Sequence, residues 1–262
     1  KIPEDLNLLT QNNWFDPDKN DLKVAKEFYD EHASDALSLC FDEIRKISAT
    51  YIGQLKIKRD GKKPKEFAKF SIKKGNNFES LLANGFNHLK MKIGDPVLVT
   101  LGIQEDSNQN LIVNVVERAD GAHWDCTHQQ FGIISYISED YENVKVFLNK
   151  DNELRLDQNI VKNVKDKLSI GAQVKCFSTI NAKSQRIEIS HFEFVDNAKI
   201  SDAKEEKGEL RKNPKGFGFV NDIFIPPNLI QNIEDRTSIT VKAILNKQRD
   251  KDTYSWKAIS IS

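Results

Sequence analysis

From about residue 50 onward, the chain is built of short segments in which apolar and polar residues alternate with a period of two. Examples are "YIGQLKIK", "DPVLVTLGI", "NVKVFLN" and "SITVKAIL", and Gly, Asn or Asp residues lie between such segments. Many short strands separated by turn signals are typical of all-β barrels and sandwiches. The alternation therefore predicts a mainly β fold for this part of the chain.

Glycines mark a repeat within these strands. Gly53, Gly132 and Gly208 each follow an aliphatic, aromatic or charged residue, and they lie 79 and 76 residues apart. A repeat of this length with about five strands is the size of a small closed barrel, and closure removes exposed strand edges. We therefore expect three tandem five-stranded OB-like barrels, at residues 51–118, 128–197 and 206–262.

The first fifty residues follow a helical period instead. Leu22, Ala25 and Phe28 are spaced as on one face of a helix, and Ala36, Cys40 and Ile44 repeat this spacing after a break. We expect a short N-terminal helical segment over residues 1–50, made of two antiparallel helices. Its expected role is packing, or docking of a protein partner.

The formal net charge is zero, with 39 basic and 39 acidic residues, but the charges are unevenly distributed. Residues 1–50 carry a net −5 and residues 51–118 a net +5, whereas residues 119–206 carry −4 and residues 207–262 carry +4. Blocks of opposite sign say more about partners than their sum does. The first and third barrels are thus candidates for binding an anionic polymer. The acidic middle barrel is expected to be a spacer or a protein-docking site.

Several other classes of protein are disfavoured. The three cysteines are odd in number and far apart, which favours a reducing compartment over a disulfide framework. No signal-peptide pattern or apolar run of about 20 residues is present, so we expect a cytoplasmic protein without a membrane partner. The first residue is Lys1 rather than Met, so we expect the chain to be trimmed or part of a longer protein, and the sequence leaves open whether it is a fragment.

The sequence contains no convincing catalytic or metal motif. There is no Walker loop, G-x-S-x-G or H-E-x-x-H sequence. His123, Cys126 and His128 lie together in "HWDCTH", but no further cysteine pair completes a zinc site, so an ordered linker is expected there. We predict a binding module rather than an enzyme, with no cofactor and no metal, although a catalytic domain outside this chain stays open.

The most specific stretch is "NPKGFGFVNDIFIPP", residues 213–227. It predicts two strands joined by a tight turn at Asn221 and Asp222. Lys215, Phe217 and Phe219 then share one face of the first strand, with glycines opposite. Aromatic rings beside a lysine suit the stacking of unpaired bases, while a plain core face is the alternative.

This stretch resembles the cold-shock domain, whose two ribonucleoprotein motifs lie on adjacent second and third strands. "KGFGFV" matches the first motif and "DIFI" the second, in the same order and nearly contiguous. An RRM would place its second motif well upstream and have an aromatic where Asp222 stands. The wording "GFGFV…DIFIPP" is similar to the cold-shock-type domains that precede the catalytic domain in ribonuclease II/R-like exoribonucleases. The aspartate-rich metal signature of that catalytic domain is absent here.

The resemblance covers about residues 208–262 and implies an RNA-contacting set: Lys215, Phe217, Phe219 and Phe224. It also has departures. Arg211 and Lys212 stand where cold-shock proteins usually have a tryptophan and another aromatic, and we include both as candidate nucleic-acid-binding residues. Pro226 and Pro227 replace a His-Phe pair. Tyr254 or Trp256 on the last predicted strand could compensate for the missing rings.

The first barrel offers positive charge instead of aromatic rings. "KRDGKKPKEF" is expected to form a loop between its first two strands and to track a phosphate backbone, with a solvated charged loop as the alternative. The candidate binding residues there are Lys58, Arg59, Lys62, Lys63, Lys65, Phe67 and Lys69.

Together these patterns predict a protein that binds single-stranded RNA, or DNA, through tandem cold-shock/OB barrels. Stacking is expected in the third barrel and phosphate contacts in the first. The alternatives are a protein-interaction scaffold, which would use the N-terminal helices or the acidic middle barrel, and a regulatory part of a larger nuclease or stress-response system. The sequence leaves open the choice of RNA or DNA, the base preference, the oligomeric state and the pathway.

Overall fold

The computed structural model describes most of the chain after residue 42, in these ranges: 43–59, 62–84, 91–104, 109–118, 120–182, 184–248 and 252–262. The chain divides into two compact units. The first runs to Ile72 and resumes at Leu82–Asp125, and the second comprises Lys73–Leu81 and Cys126–Ser262. The described residues are mainly β-strand, as the alternation predicts.

The predicted N-terminal helical segment needs one correction. Residues 43–50 were expected to be helical, but they form the start of a long strand that pairs along the strand beginning at Pro96. Ala49 lies opposite Val97, and both are buried. Non-local pairing along this edge overrides the local helical spacing of Ile44. The rest of the predicted segment, residues 1–42, lies outside the described residues.

The first unit is an antiparallel arrangement of five strands in the order β5-β4-β1-β2-β3. The tip of the β2–β3 hairpin, residues 73–81, belongs to the second unit. The core of the first unit includes Phe70 and Val99, which are fully buried. The strand bounds are β1 Glu43–Arg59, β2 Lys62–Lys74, β3 Asn77–Asn84, β4 Pro96–Gln104 and β5 Gln109–Glu117.

The second barrel lies in the second unit and has five strands and one helix. Strand β6 pairs with β7 and β9, β7 pairs with β8, and β10 pairs with β9 and lies beside β8, so the strands close on themselves. Asp157 caps the helix by accepting a 2.8 Å hydrogen bond from the backbone N–H of Asn159. The bounds are β6 His128–Ile137, β7 Val144–Asn149, β8 Asn152–Arg155, α1 Gln158–Val164, a 3₁₀ turn at Lys165–Lys167, β9 Gln173–Asn181 and β10 Ile187–Phe194.

The third barrel repeats this strand order. Its first strand is bent at the buried Leu210, so its two halves, β11 and β12, pair with β15 and β13 respectively. Strand β14 pairs with β13 and, in parallel, with β16, and this closes the barrel. The bounds are β11 Ala203–Glu209, β12 Arg211–Lys212, β13 Gly218–Val220, β14 Ile223–Ile225, α2 Pro227–Ile230, β15 Ser238–Lys247 and β16 Tyr254–Ile261.

The second and third barrels pack against each other within the second unit. An apolar cluster joins them: Ile133, Phe147, Ile200, Ile244 and Ile259. Asp202 lies in the connection between the two barrels. Its carboxylate accepts a 3.0 Å hydrogen bond from the backbone N–H of Lys150, and its backbone carbonyl accepts a 2.8 Å hydrogen bond from the backbone N–H of Leu245. This interface fixes the outer faces of the two barrels relative to each other.

In the second and third barrels, steric crowding explains why the repeat positions are glycines. A Cβ atom on Gly132 would lie 2.7 Å from a Val146 side-chain carbon and 2.9 Å from the Phe147 carbonyl oxygen. A Cβ atom on Gly208 would lie 2.7 Å from a side-chain carbon of Val220. In each barrel the first strand thus passes too close to the second for a larger residue.

Candidate nucleic-acid interface

Three phenylalanines form one cluster on the outside of the third barrel. The ring centroid of Phe217 lies 5.7 Å from that of Phe219 and 5.6 Å from that of Phe224, and the last two are 5.8 Å apart. Such edge-to-face and tilted contacts are the favoured geometry of aromatic pairs. We call Phe217, Phe219 and Phe224 the aromatic patch.

The alternation along β13 and β14 explains why these rings point outward. Val220, Ile223 and Ile225 are fully buried in the barrel core. Successive residues of a strand point to opposite faces, so Phe219, before Val220, and Phe224, between the two isoleucines, point outward. Phe219 is 38% exposed, although its ring is large and apolar. A core role for this ring is therefore excluded.

Phe217 lies in a tight loop rather than in the strand where the alternation placed it. The backbone N–H of Asn213 donates to the carbonyl of Phe217 at 2.8 Å, and Gly216 has φ 91°, which favours glycine. The backbone N–H of Lys215 donates to the Asn213 side chain at 3.0 Å, and Lys215 itself is exposed. The loop thus presents Lys215 to solvent beside the aromatic patch.

Basic residues flank the aromatic patch on both sides. Arg211 lies opposite Phe219 in the β12–β13 pair, and Lys257 lies opposite Phe224 in the parallel β14–β16 pair. Arg211, Lys212 and Phe219 line an open depression of about 310 Å³, together with two asparagines. Cations beside exposed rings provide phosphate contacts next to stacking positions.

Lys257 did not emerge as a candidate from the sequence. Its neighbour Phe224 is far away in the chain, and only the parallel pairing of β14 with β16 brings the two together. Alternation along β16 would have placed Lys257 on the outer face, on the opposite side of the strand from Trp256. It does not indicate which strand lies next to β16.

The predicted turn at Asn221 and Asp222 joins β13 to β14, with Val220 paired to Ile223. Asn221 has φ 51°, a left-handed conformation that asparagine tolerates. A hydrogen bond from Lys204 lowers the pKa of Asp222, and one from Asn221 lowers that of Glu206. Burial alone would lower the pKa of Lys204, but its bonds to both carboxylates raise it. This cluster holds the hairpin tip against β11.

The two aromatic residues of β16 have other partners. Trp256 packs against the core of the third barrel, with the Lys204 ammonium 4.6 Å from its ring centroid. The Tyr254 hydroxyl donates to Asp151 at 3.1 Å, and the Lys150 ammonium lies 4.9 Å from the Tyr254 ring. Neither ring joins the aromatic patch.

The basic segment of the first unit is a strand ribbon, which corrects the expected loop. Arg59 pairs with Lys62 and Ile57 with Lys65, with a register shift between the two pairs. Pro64 falls in that shift, where its missing N–H costs no ladder bond. Of the predicted candidates, Lys58, Arg59, Lys62 and Lys63 have described backbones only.

The remaining candidates of the first unit have described side chains. Lys65 is exposed, whereas Phe67 and Lys69 are half-buried. Phe67 pairs with Leu55 across the ribbon, and the neighbouring Lys56 ammonium lies 2.5 Å from a Glu66 carboxylate oxygen. These residues lie in the first unit, and the aromatic patch lies in the second.

The "HWDCTH" segment forms ordered structural contacts. The Trp124 side chain is buried beside Gly94. The backbone N–H of Trp124 donates a 3.1 Å hydrogen bond to the carbonyl of Gly94. His123 lies 3.1 Å from Asp95, and Cys126 is buried. No group of three potential metal ligands occurs among the described residues.

The geometry agrees with a comparison to known protein families. Residues 204–261 match the family described as S1/CSD-like domain 2 of the TOTE conflict systems. The match covers the whole third barrel and supports a cold-shock/OB-type domain there, as the motif order predicts. S1-like and cold-shock domains are non-catalytic nucleic-acid-binding domains, which is consistent with the predicted binding module.

The chain was also compared with curated proteins and with solved structures. No curated protein matches the chain. Among solved structures, "drosophila Unr CSD456" is similar at 10% identity and a TM-score of 0.28, covering 83% of this chain and 96% of that one. No helix in the described parts of the chain is long and apolar enough to cross a membrane.

Proposed function

We propose that this protein binds single-stranded nucleic acid, with RNA the expected ligand, on the aromatic patch of the third barrel. The observation that carries the proposal is a cluster of three phenylalanines on the outer face, in contact with one another and with Phe219 38% exposed. An apolar cluster that a folded barrel leaves uncovered, with Arg211 and Lys257 paired beside it, fits a partner with flat rings and negative charge.

Each element of the interface has a separate role. Phe217, Phe219 and Phe224 offer rings on which unpaired bases stack, worth about 1–3 kcal/mol per base. Arg211, Lys215 and Lys257 contact phosphates, and the guanidinium of Arg211 can also stack on a base. None of these contacts reads the edge of a base, so the stacking and phosphate terms predict weak sequence preference.

Replacing two rings of the patch tests the proposal. The F217A/F219A double variant is expected to bind a fluorescein-labelled single-stranded RNA about 30-fold or more weakly, because two stacking contacts are lost. Fluorescence anisotropy at about 50 mM salt measures this, where phosphate contacts are strong. The control is Phe194→Ala, because Phe194 is 39% exposed on the second barrel but lies outside the patch.

Salt dependence gives a second readout of the same complex. Three phosphate contacts predict a slope of about −2 for log K against log salt concentration, since each contributes roughly −0.7 on a single strand. Wild-type-like affinity in the double variant, with an unchanged thermal unfolding midpoint, would show that the patch is not the binding surface. Binding of neither RNA nor DNA would favour the scaffold instead.

We further propose a preference for RNA, a likeness of the third barrel to ribonuclease II/R-type domains, a cytoplasmic location and a phosphate-tracking role of the first unit. A protein partner on the N-terminal segment or the middle barrel also stays a prediction. The domain boundaries of the three barrels are proposed as the sequence repeat gives them.

A further inference from the structure

A polar cleft opens between the second and third barrels. It has a volume of about 280 Å³, and its walls include Tyr136, Lys145, Asn149 and Lys150 of the second barrel and Asn246 and Lys257 of the third. All of these residues belong to the second unit, in which the two barrels share an apolar contact. The cleft is thus a fixed feature of this unit.

Lys257 connects the cleft to the aromatic patch. It lies opposite Phe224 in the ladder, so the two residues are on neighbouring strands about 5 Å apart. Ile259, two residues on, packs in the contact between the barrels. Lys257 therefore borders both the patch and the cleft, and β16 shifts its register against β15 just beyond it, at Ile259.

The cleft has the chemistry that single-stranded nucleic acid requires. Tyr136 is 45% exposed, which leaves its ring available for stacking. Lys257 forms no ion pair within the described parts of the chain. Lys145 and Lys150 contact Glu153 and Asp151 at 3.1 and 3.0 Å, but exposed pairs of this kind are weak and can exchange for phosphate.

We propose that a bound strand continues from the aromatic patch over Lys257 into this cleft, where Tyr136 stacks a base and the lysines contact phosphates. The inference rests on the proposed function, and it gives the acidic middle barrel a direct part in binding. The strand passes Phe219, Phe224, Lys257 and Tyr136 in that order. Strands long enough to reach beyond one barrel bind more tightly for this reason.

The test compares a short and a long ligand with the full chain. A fluorescein-labelled uridine 4-mer can occupy the patch alone, whereas a 12-mer can reach the cleft as well, since OB folds occupy roughly 4–16 nucleotides. Tyr136→Ala is expected to weaken binding of the 12-mer about tenfold and to leave that of the 4-mer unchanged. Lys257→Ala should weaken binding of both, because it borders patch and cleft.

The matched control is Phe131→Ala. Phe131 lies on the same strand as Tyr136 and is 44% exposed, but it is outside the cleft. If Tyr136→Ala binds the 12-mer as tightly as Phe131→Ala does, while Phe219→Ala still weakens both ligands, the cleft inference is overturned and the proposed function stands. If Phe219→Ala leaves both affinities unchanged, the proposed function itself fails.

Discussion

The second and third barrels share one strand order but use the same outer face in opposite ways. Phe219 lies on the second strand of the third barrel and is 38% exposed. Phe147 lies on the second strand of the second barrel, where it points outward as well, yet it is only 3% exposed because Ile244 and Ile259 of the third barrel cover it.

The difference shows what decides the role of an outward-facing aromatic residue. A phenylalanine on the outer face of the second strand can dock a neighbouring barrel or stack a base, and the choice depends on what covers it. The second barrel was expected to be a spacer or docking element. Phe147 of the second barrel packs against the third barrel, and a protein partner on the second barrel stays a prediction.

The comparison is tested most strongly by truncating each of the two rings. Phe147→Ala should lower the free energy of unfolding by about 3–5 kcal/mol, because a buried ring leaves a cavity at the contact between the barrels. Phe219→Ala should lower it by only about 1–2 kcal/mol, since this ring is already 38% exposed and loses mainly its contacts with Phe217 and Phe224. Urea denaturation followed by far-UV circular dichroism measures both values.

Equal losses in the two variants would contradict the distinction between a docking and a binding aromatic. Binding of nucleic acid gives the converse check. Phe219→Ala should weaken binding with the smaller loss of stability, whereas Phe147→Ala should weaken binding only to the extent that it destabilises the second unit. A Phe147→Leu variant, which keeps much of the apolar volume, serves as the conservative control and should recover most of the stability.

Gly132 and Gly208 extend the comparison of the two barrels, with smaller expected effects on stability. Gly132→Ala should cost about 1–3 kcal/mol of stability, because its Cβ would meet two side chains and a backbone oxygen closer than 3.0 Å. Gly208→Ala should cost less, since only a Val220 side-chain carbon is that close and it can shift. Chemical denaturation of both variants gives the order, and a larger loss for Gly208→Ala would show that the steric explanation is wrong.

The sequence predicts local features of this molecule well. The period of two predicted the β fold, and the stretch 213–227 predicted the hairpin, its turn and the outward face of Phe219 and Phe224. Each of these depends on residues close together in the chain, whose geometry the alternation and the turn residues determine. Of the three repeat glycines, Gly132 and Gly208 share one close approach, whereas Gly53 has φ 118° and its nearest contact would be at 3.6 Å. The threefold barrel repeat therefore stays a prediction.

Features that depend on non-local pairing were not predictable. Lys257 reaches Phe224 only through a parallel pair of strands, and Phe147 is buried only because another barrel covers it. The expected loop around Pro64 is another case. Gly and Pro residues indicate loops locally, but pairing with the neighbouring strand accommodates Pro64 at a register shift. Residues 43–50 form a strand rather than a helix because they pair with β4, which is distant in the sequence.

The smallest predicted effect concerns two aspartates with lowered pKa values, one in each barrel. Hydrogen bonds from Ser138 and from the Glu142 backbone lower the pKa of Asp140, and these bonds span only two residues. The pKa of Asp222 is lowered by Lys204, 18 residues away. Local bonds can persist in an unfolded chain, but the bond to Lys204 cannot, so the lowered pKa of Asp222 depends more on folding than that of Asp140.

A carboxylate whose pKa is lowered on folding stabilises the protein above its usual pKa of 3.8, and this contribution is lost as the pH falls through the lower folded value. Asp222→Asn should therefore flatten the acid loss of stability below about pH 4, whereas Asp140→Asn should change it less. Urea midpoints measured from about pH 6 to pH 3 compare the two variants. An acid profile of Asp222→Asn that matches the unmodified protein would mean that the ion pair at the hairpin tip is too solvent-screened to stabilise the aromatic face.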